Sequence, residues 1–142
     1  MDGWMDGSDN SIDHVWQIIG DLSDDAAIHR ALEGASKVIC AAGAHEITSM
    51  GYLIWGGKSS PNSPNNVDFM GVQKLAKAAA AHGVDHFVLI SSICVTKPRA
   101  VVAMLMNCLM SMSMKWKLEG ERALRESGVS YTIVSFKVIM WL

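Results

Sequence analysis

The run HFVLISS, residues 86–92, constrains this chain more than any other stretch. Phe87, Val88, Leu89 and Ile90 follow one another without a polar residue. A strand of that kind has no face to give to water, so it belongs in a parallel sheet with helices on both sides. Covering helices can be read on either side of it. Asn66 to His82 is a helix closed by Gly83, with Val67, Met70, Leu75, Ala76 and Ala79 on its apolar side. Ala78 to Ala81 are strong helix formers. A later helix spans 113–127 and stops at Gly128, and YTIV (131–134) follows as a strand.

The same alternation runs upstream. VWQII (15–19) is a short apolar run that ends at Gly20-Asp21. The next helix has Ser23 as its N-cap, Asp24 and Asp25 in its first turn, and Gly34 as its left-handed stop. Ala27, Ile28, Ala31 and Leu32 share one face of it. KVICAAG (37–43) is a buried strand that ends in a turn with almost no side chains. Residues 44–64 contain GG, SSP and NSP and read as a long loop, made sticky by Tyr52, Leu53, Ile54 and Trp55. The order strand–helix–strand–helix–strand–helix–strand predicts an α/β layered domain with right-handed crossovers. Residues 1–13, rich in Gly, Asp, Ser and Asn, read as disordered, leaving 14–142 as one domain.

Composition narrows the function classes. Half of the 142 residues are hydrophobic, enough for one core and hardly enough for two. Net charge is −2 and no Lys/Arg run is present, which argues against nucleic acid or an anionic membrane surface as partner. Cys40, Cys94 and Cys108 are an odd, scattered set and suit free thiols in a reducing compartment. The acidic N-terminus has no apolar centre and does not read as a secretory signal or a basic transit peptide. The Met-rich stretch 100–114 is uncharged but shorter than the ~20 residues of a membrane span, so it is expected to be a buried or loosely packed segment.

In parallel α/β sheets ligands bind beyond the carboxyl ends of the strands. The unusual residues sit there. Asp21 and Leu22 could meet a purine ring, or Gly20 could simply turn the chain while Asp21 helps cap a helix. Ala41, Ala42 and Gly43 allow close approach of a ring or a ribose, or tight packing against a helix. Ser91 and Ser92 could hydrogen-bond a carbonyl being reduced, or satisfy loop backbone. Lys117 could hold ribose hydroxyls, or pair with Glu121 at i+4 as an exposed helix lysine. No metal is expected. Gly83 breaks the helix between His82 and His86, and His14, His29 and His45 have no partner at metal-site spacing.

Taken in order, GDL, ALEG, VICAAG, NNVDFMGVQKLAKAAAAHGVDHFVLISS and WKLEGERALRESGVSYTIV resemble the atypical short-chain dehydrogenase/reductase family, in its NmrA-like, NAD(P)-binding branch. The resemblance covers about Val15 to Val134, most of the chain. It implies a Rossmann sheet and hydride transfer to or from NAD(P). It implies that Asp21 and Leu22 contact adenine, and that Ala41, Ala42 and Gly43 pass beside the ribose and nicotinamide side. It further implies that Ser92, with Ser91 beside it, is the active-site serine, and that Lys117 binds the nicotinamide ribose. Members occur in the cytosol and in plastids.

Three departures qualify those expectations. The family tyrosine four residues before the lysine is Ser113 here, a far poorer proton donor. After YTIV the family's Arg-Pro-Gly is replaced by Ser135-Phe136-Lys137. No Gly-x-x-Gly-x-x-Gly turn precedes Val15, so the pyrophosphate-holding strand and turn are missing and cofactor binding is expected to be weak or lost. The resemblance implies that the family's first two strands are missing, so VWQII either pairs with KVICA or dangles, leaving a sheet of three or four strands with an apolar edge. Two readings follow: an oxidoreductase-like NAD(P)-binding domain, or a non-enzymatic fragment or interaction module whose partner covers that edge.

Overall fold

The computed structural model describes residues 17–44, 61–92 and 113–136. In chain order these form α1 (Asp25–Leu32), β1 (Lys37–Cys40), a π-helical segment (Asn65–Gly71) continuous with α2 (Val72–Ala81), β2 (His86–Ser92), α3 (Ser113–Glu126) and β3 (Tyr131–Phe136). The three strands make one parallel sheet in the order β1-β2-β3. Lys37 lies opposite His86 and Phe87 opposite Tyr131, so β2 and β3 end level at Ser92 and Phe136, while β1 ends earlier, with Cys40 opposite Leu89. This is the expected partial Rossmann-like α/β fold, with three strands.

The central strand buries Phe87, Leu89 and Ser91, while Val88 and Ile90 on its other face are half-buried. Phe87 has no exposed surface, and Leu89, Leu124 and Val72 close the core around it. Ala76 and Ala79 are also fully buried, so α2 presents its smallest side chains to its neighbours in the core. The three helices stop where expected, at Gly34, Gly83 and Gly128, whose φ values of +70°, +69° and +83° lie where a side chain is strained.

Local readings needed correction in four places. The cap of α1 is Asp24, not Ser23. Its Oδ1 accepts the Ala26 and Ala27 N–H groups at 2.9 and 3.2 Å, while the Ser23 N–H donates to Asp21. A carboxylate at this position also meets the positive end of the helix. Asp24→Ala is therefore expected to cost about 1 kcal/mol in urea unfolding, with Asp24→Ser losing much less. Ala31 faces solvent, so the buried face of α1 is Ala27, Ile28 and Leu32.

The apolar side of the second helix holds at Leu75, Ala76 and Ala79 but fails at Met70. A π-helical turn advances the chain by i+5 instead of i+4 and rotates the faces accordingly. Met70 is turned outward and Asp68 and Gly71 inward. Finally, VWQII is not a strand over its described part. Residues 17–19 pair with no strand, and Ile18 and Ile19 are exposed. The single pairing of β1 goes to β2, and its other edge carries no strand among the described residues. Val15, Trp16, residues 1–13, residues 45–60 of the expected loop, Cys94, Cys108 and residues 100–112 of the Met-rich stretch lie outside the described residues. No described helix is long and apolar enough to cross a membrane.

Candidate functional site

At the carboxyl end of β1 the chain turns through Ala42, Gly43 and Ala44 and forms one wall of a cleft of about 600 Å³. The turn Gly20–Ser23, which leads into α1, forms a second wall. Pro61, Asn62, Asn66 and Val67 close it from the start of the π-helical segment. The Gly20–Ser23 turn is held down by close packing. A Cβ on Gly71 would lie 2.9 Å from Leu22 Cβ, so only a glycine there lets Leu22 sit on the helix. Asp21 Oδ1 accepts the Ser23 N–H at 2.7 Å, and the Asp21 carbonyl accepts the Asp24 N–H at 3.0 Å. Hydrogen bonds from Ser23 hold the exposed Asp21 carboxyl below its usual range, so the cleft mouth carries a negative charge at neutral pH.

Lys117 reaches this turn from α3. Its Nζ lies 2.7 Å from Asp68 Oδ1, and the two side chains are 20% and 1% exposed. A Cβ on Gly43 would sit 3.4 Å from that Nζ and 3.7 Å from Asp68 Oδ1. The Ala44 N–H donates to the same oxygen at 3.4 Å. Asp68 Oδ2 is buried and has no partner. Burial pushes the Asp68 carboxyl above its usual range, and the Lys117 ammonium opposes that shift. The lysine ammonium is therefore close to the cleft turn but is already neutralised from behind.

The expected i+4 pairing of Lys117 with Glu121 is absent. Glu121, 1% exposed, faces β2 instead. Its Oε1 accepts the Ser91 hydroxyl at 2.6 Å and its Oε2 accepts from Arg125 at 2.9 Å. The Ser91 proton is thus committed to a carboxylate and is not free for a substrate carbonyl. Ser92, also buried, ends β2. Ser113, in the place of the family tyrosine, is buried at the first turn of α3.

The structure brings Asp21, Leu22, Ala42 and Gly43 to one cleft and sets Lys117 against Gly43. Ala41, Ser91 and Ser92 do not line it. Sequence reasoning missed Asp68 and the cleft-lining Pro61, Asn62, Asn66 and Val67, and gave Glu121 the wrong partner. The signal for Asp68 was present: a lone carboxylate in the otherwise apolar VDFMGV. His86 does not meet His82 and instead contacts Ser130 and Thr132, while His82 meets His29.

Comparisons agree with this topology. The NAD(P)H-binding family matches residues 9–140. The chain is 31% identical over 137 residues to Protein TIC 62, chloroplastic, of Pisum sativum, covering 94% of this chain and 23% of that protein. The protein of the same name from Arabidopsis thaliana is 32% identical over 117 residues, 80% of this chain and 16% of that one. This chain thus spans less than a quarter of the length of these relatives. Among solved structures, a Bacillus halodurans protein given the provisional description NAD-dependent epimerase/dehydratase superposes with a TM-score of 0.63 at 21% identity, over 84% of this chain and 47% of its own. The Bordetella bronchiseptica enzyme WbmG, in complex with NAD and UDP, gives 0.57 at 20% identity, over 83% and 36%. Motifs, strand order and matched length together make this chain a member of the NAD(P)H-binding family, with a partial Rossmann-like fold.

Proposed function

We propose that this chain is an oxidoreductase-like NAD(P)-binding domain that holds the nucleoside parts of its cofactor but grips the pyrophosphate weakly. The observation that carries this reading is the cleft formed where β1 ends and α1 begins, with Lys117 Nζ beside Gly43. The residues present fit part of the cofactor. Asp21 and Leu22 offer a carboxylate and an apolar surface to adenine, and Ala42 and Gly43 offer a wall without bulk. Lys117 is set for ribose hydroxyls. Asp68, with one buried oxygen unpartnered, holds the lysine in place.

The fit to the phosphates is poor. The cleft wall among the described residues includes Asp21 and no cation, and the two lysines near it are paired, Lys117 with Asp68 and Lys74 with Asp25. No Gly-x-x-Gly-x-x-Gly turn occurs in the sequence. When bound, the nicotinamide supplies the hydride chemistry. Ser92 and Lys117 are the residues of this chain assigned to that chemistry. With Ser113 in the tyrosine's place they provide no phenolic acid, so any reduction is expected to be slow.

The second reading is a non-enzymatic fragment or interaction module. It is favoured by β1, whose outer edge pairs with no strand among the described residues and whose Ile39 is 72% exposed on the sheet face, a surface that a protein partner could cover.

Fluorescence titration with NADPH and NADH separates these readings. Weak saturable binding is expected, with a Kd of roughly 0.1–1 mM. Low-micromolar binding would overturn the weak grip on pyrophosphate. Absence of saturation, with no shift of the Ala42–Ala44 amide signals, would overturn cofactor binding and leave the second reading.

A further inference from the structure

Far from the cleft, the structure joins two histidines that lie 53 positions apart in sequence. His29, on the last turn of α1, places its Nδ1 2.8 Å from Nε2 of His82, the residue that caps α2. Their ring centroids are 5.0 Å apart and the planes are inclined by 40°. Both side chains are exposed. Residue spacing alone hid this pair.

We propose that His29 and His82 form a two-imidazole site for a divalent transition-metal ion, with water completing the coordination. Imidazole nitrogen suits Cu²⁺, Ni²⁺ and Zn²⁺. Two nitrogens about 2.0 Å from a metal stand about 2.8 Å apart at a right angle and about 3.3 Å apart at a tetrahedral angle. The nitrogens stand at the first separation, but ring centroids 5.0 Å apart mean that each inner nitrogen is aimed almost straight at the other ring, as in an N–H···N hydrogen bond, so one exposed ring must turn slightly for both to face one metal ion. The separation therefore selects no metal, and the preference for Cu²⁺ over Ni²⁺ and Zn²⁺ rests on the imidazole donors alone. No third His, Cys, Asp or Glu completes the set among the described residues, so the site is open and its affinity modest.

The proton balance is simple. One nitrogen of the facing pair carries a proton that it shares with the other. On binding, that proton leaves the shared edge. His29 then carries its proton on Nε2 and His82 on Nδ1, and both inner lone pairs go to the metal. No redox step is involved.

The consequence is a clasp. Near its beginning, α1 is tied to α2 by Lys74, which pairs with Asp25 at 2.9 Å and donates to the Ser23 carbonyl at 3.0 Å. The metal would tie the same two helices at their other ends. Lys74 and Lys77 border the hollow beside His29 and oppose a cation there, which also limits affinity.

Titrating the full chain with CuCl₂, NiCl₂ and ZnCl₂ by calorimetry tests the proposal. The order Cu²⁺ before Ni²⁺ before Zn²⁺ is expected. His29→Gln and His82→Gln should each weaken Cu²⁺ by about tenfold or more, since even outer-shell losses cost that much. Equal Cu²⁺ affinity in the double variant would overturn the site. A measurement without variants stands beside it. Substoichiometric Cu²⁺ should broaden the amide signals of Arg30 and Ala81 before those of Ala42–Ala44. Broadening confined to other histidines would overturn it too.

Discussion

Lys117→Met should destabilise the folded chain by about 3–5 kcal/mol at neutral pH, the cost of leaving a buried charge without its partner. An exposed helix lysine would lose only about 0–1 kcal/mol. The difference is decided by Asp68, which is 1% exposed, pairs with Lys117 at 2.7 Å and has its second oxygen unpartnered. Removing the lysine leaves that carboxylate with only a long contact from the Ala44 N–H at 3.4 Å. Asp68→Leu combined with Lys117→Met should cost less than Lys117→Met alone, because no buried charge remains.

The pH dependence has a definite sign. Burial, partly opposed by Lys117, raises the Asp68 carboxyl above its usual 3.8 in the folded chain. The folded state therefore binds more protons than the unfolded state above that value, and Asp68 subtracts stability as pH rises. Without Lys117 the folded value rises further. Urea unfolding should show Lys117→Met close to the parent near pH 4 and far below it at pH 7. A gap that is the same at both pH values, or under about 1 kcal/mol at pH 7, would return Lys117 to the status of a surface residue.

The sheet was legible because its signals are local. HFVLISS is apolar on both faces and can only be a covered strand, and the structure gives its bounds as His86–Ser92. Gly34, Gly83 and Gly128 each mark a helix end at positive φ. The cleft turn at Ala42-Gly43 was legible for the same reason, since missing side chains can be read from the residues alone. What failed depended on contacts across the chain. The partner of Lys117 was sought four residues away on its own helix, where Glu121 stands. Its actual partner is 49 residues upstream, brought near by the π-helical turn. Glu121 was read as a possible partner of Lys117, yet β2 offers it the Ser91 hydroxyl. VWQII has the apolar content of a strand, and of its two expected fates, pairing with KVICA or dangling, its described part takes the second, since residues 17–19 pair with no strand among the described residues.

Gly120→Ala offers a test in which sequence and structure predict opposite signs. By helix propensity alone, alanine in the middle of α3 should stabilise the chain by about 1 kcal/mol. Packing reverses this. A Cβ at position 120 would lie well inside van der Waals distance of the Asp68 carbonyl oxygen and 3.6 Å from Val72 Cβ. The carbonyl is backbone within the π-helical segment and cannot rotate aside as a side chain could. Relief requires α3 to lift away, and Lys117, three residues earlier on the same helix, must move with it. A net loss of about 3 kcal/mol is expected, at the upper end of the range for overpacking. The loss should not add to that of Lys117→Met, because both act by separating Lys117 from Asp68, and the double variant should fall short of the sum by about 1 kcal/mol or more. Gly128→Ala is the control. Its φ of +83° is strained for alanine, but nothing lies within 4 Å of the added carbon. It should cost about 1–2 kcal/mol and add fully to Lys117→Met. Stabilisation by Gly120→Ala would mean that α3 and the π-helical segment are not in contact at Gly120, and the placement of Lys117 beside Gly43 would fall with that contact.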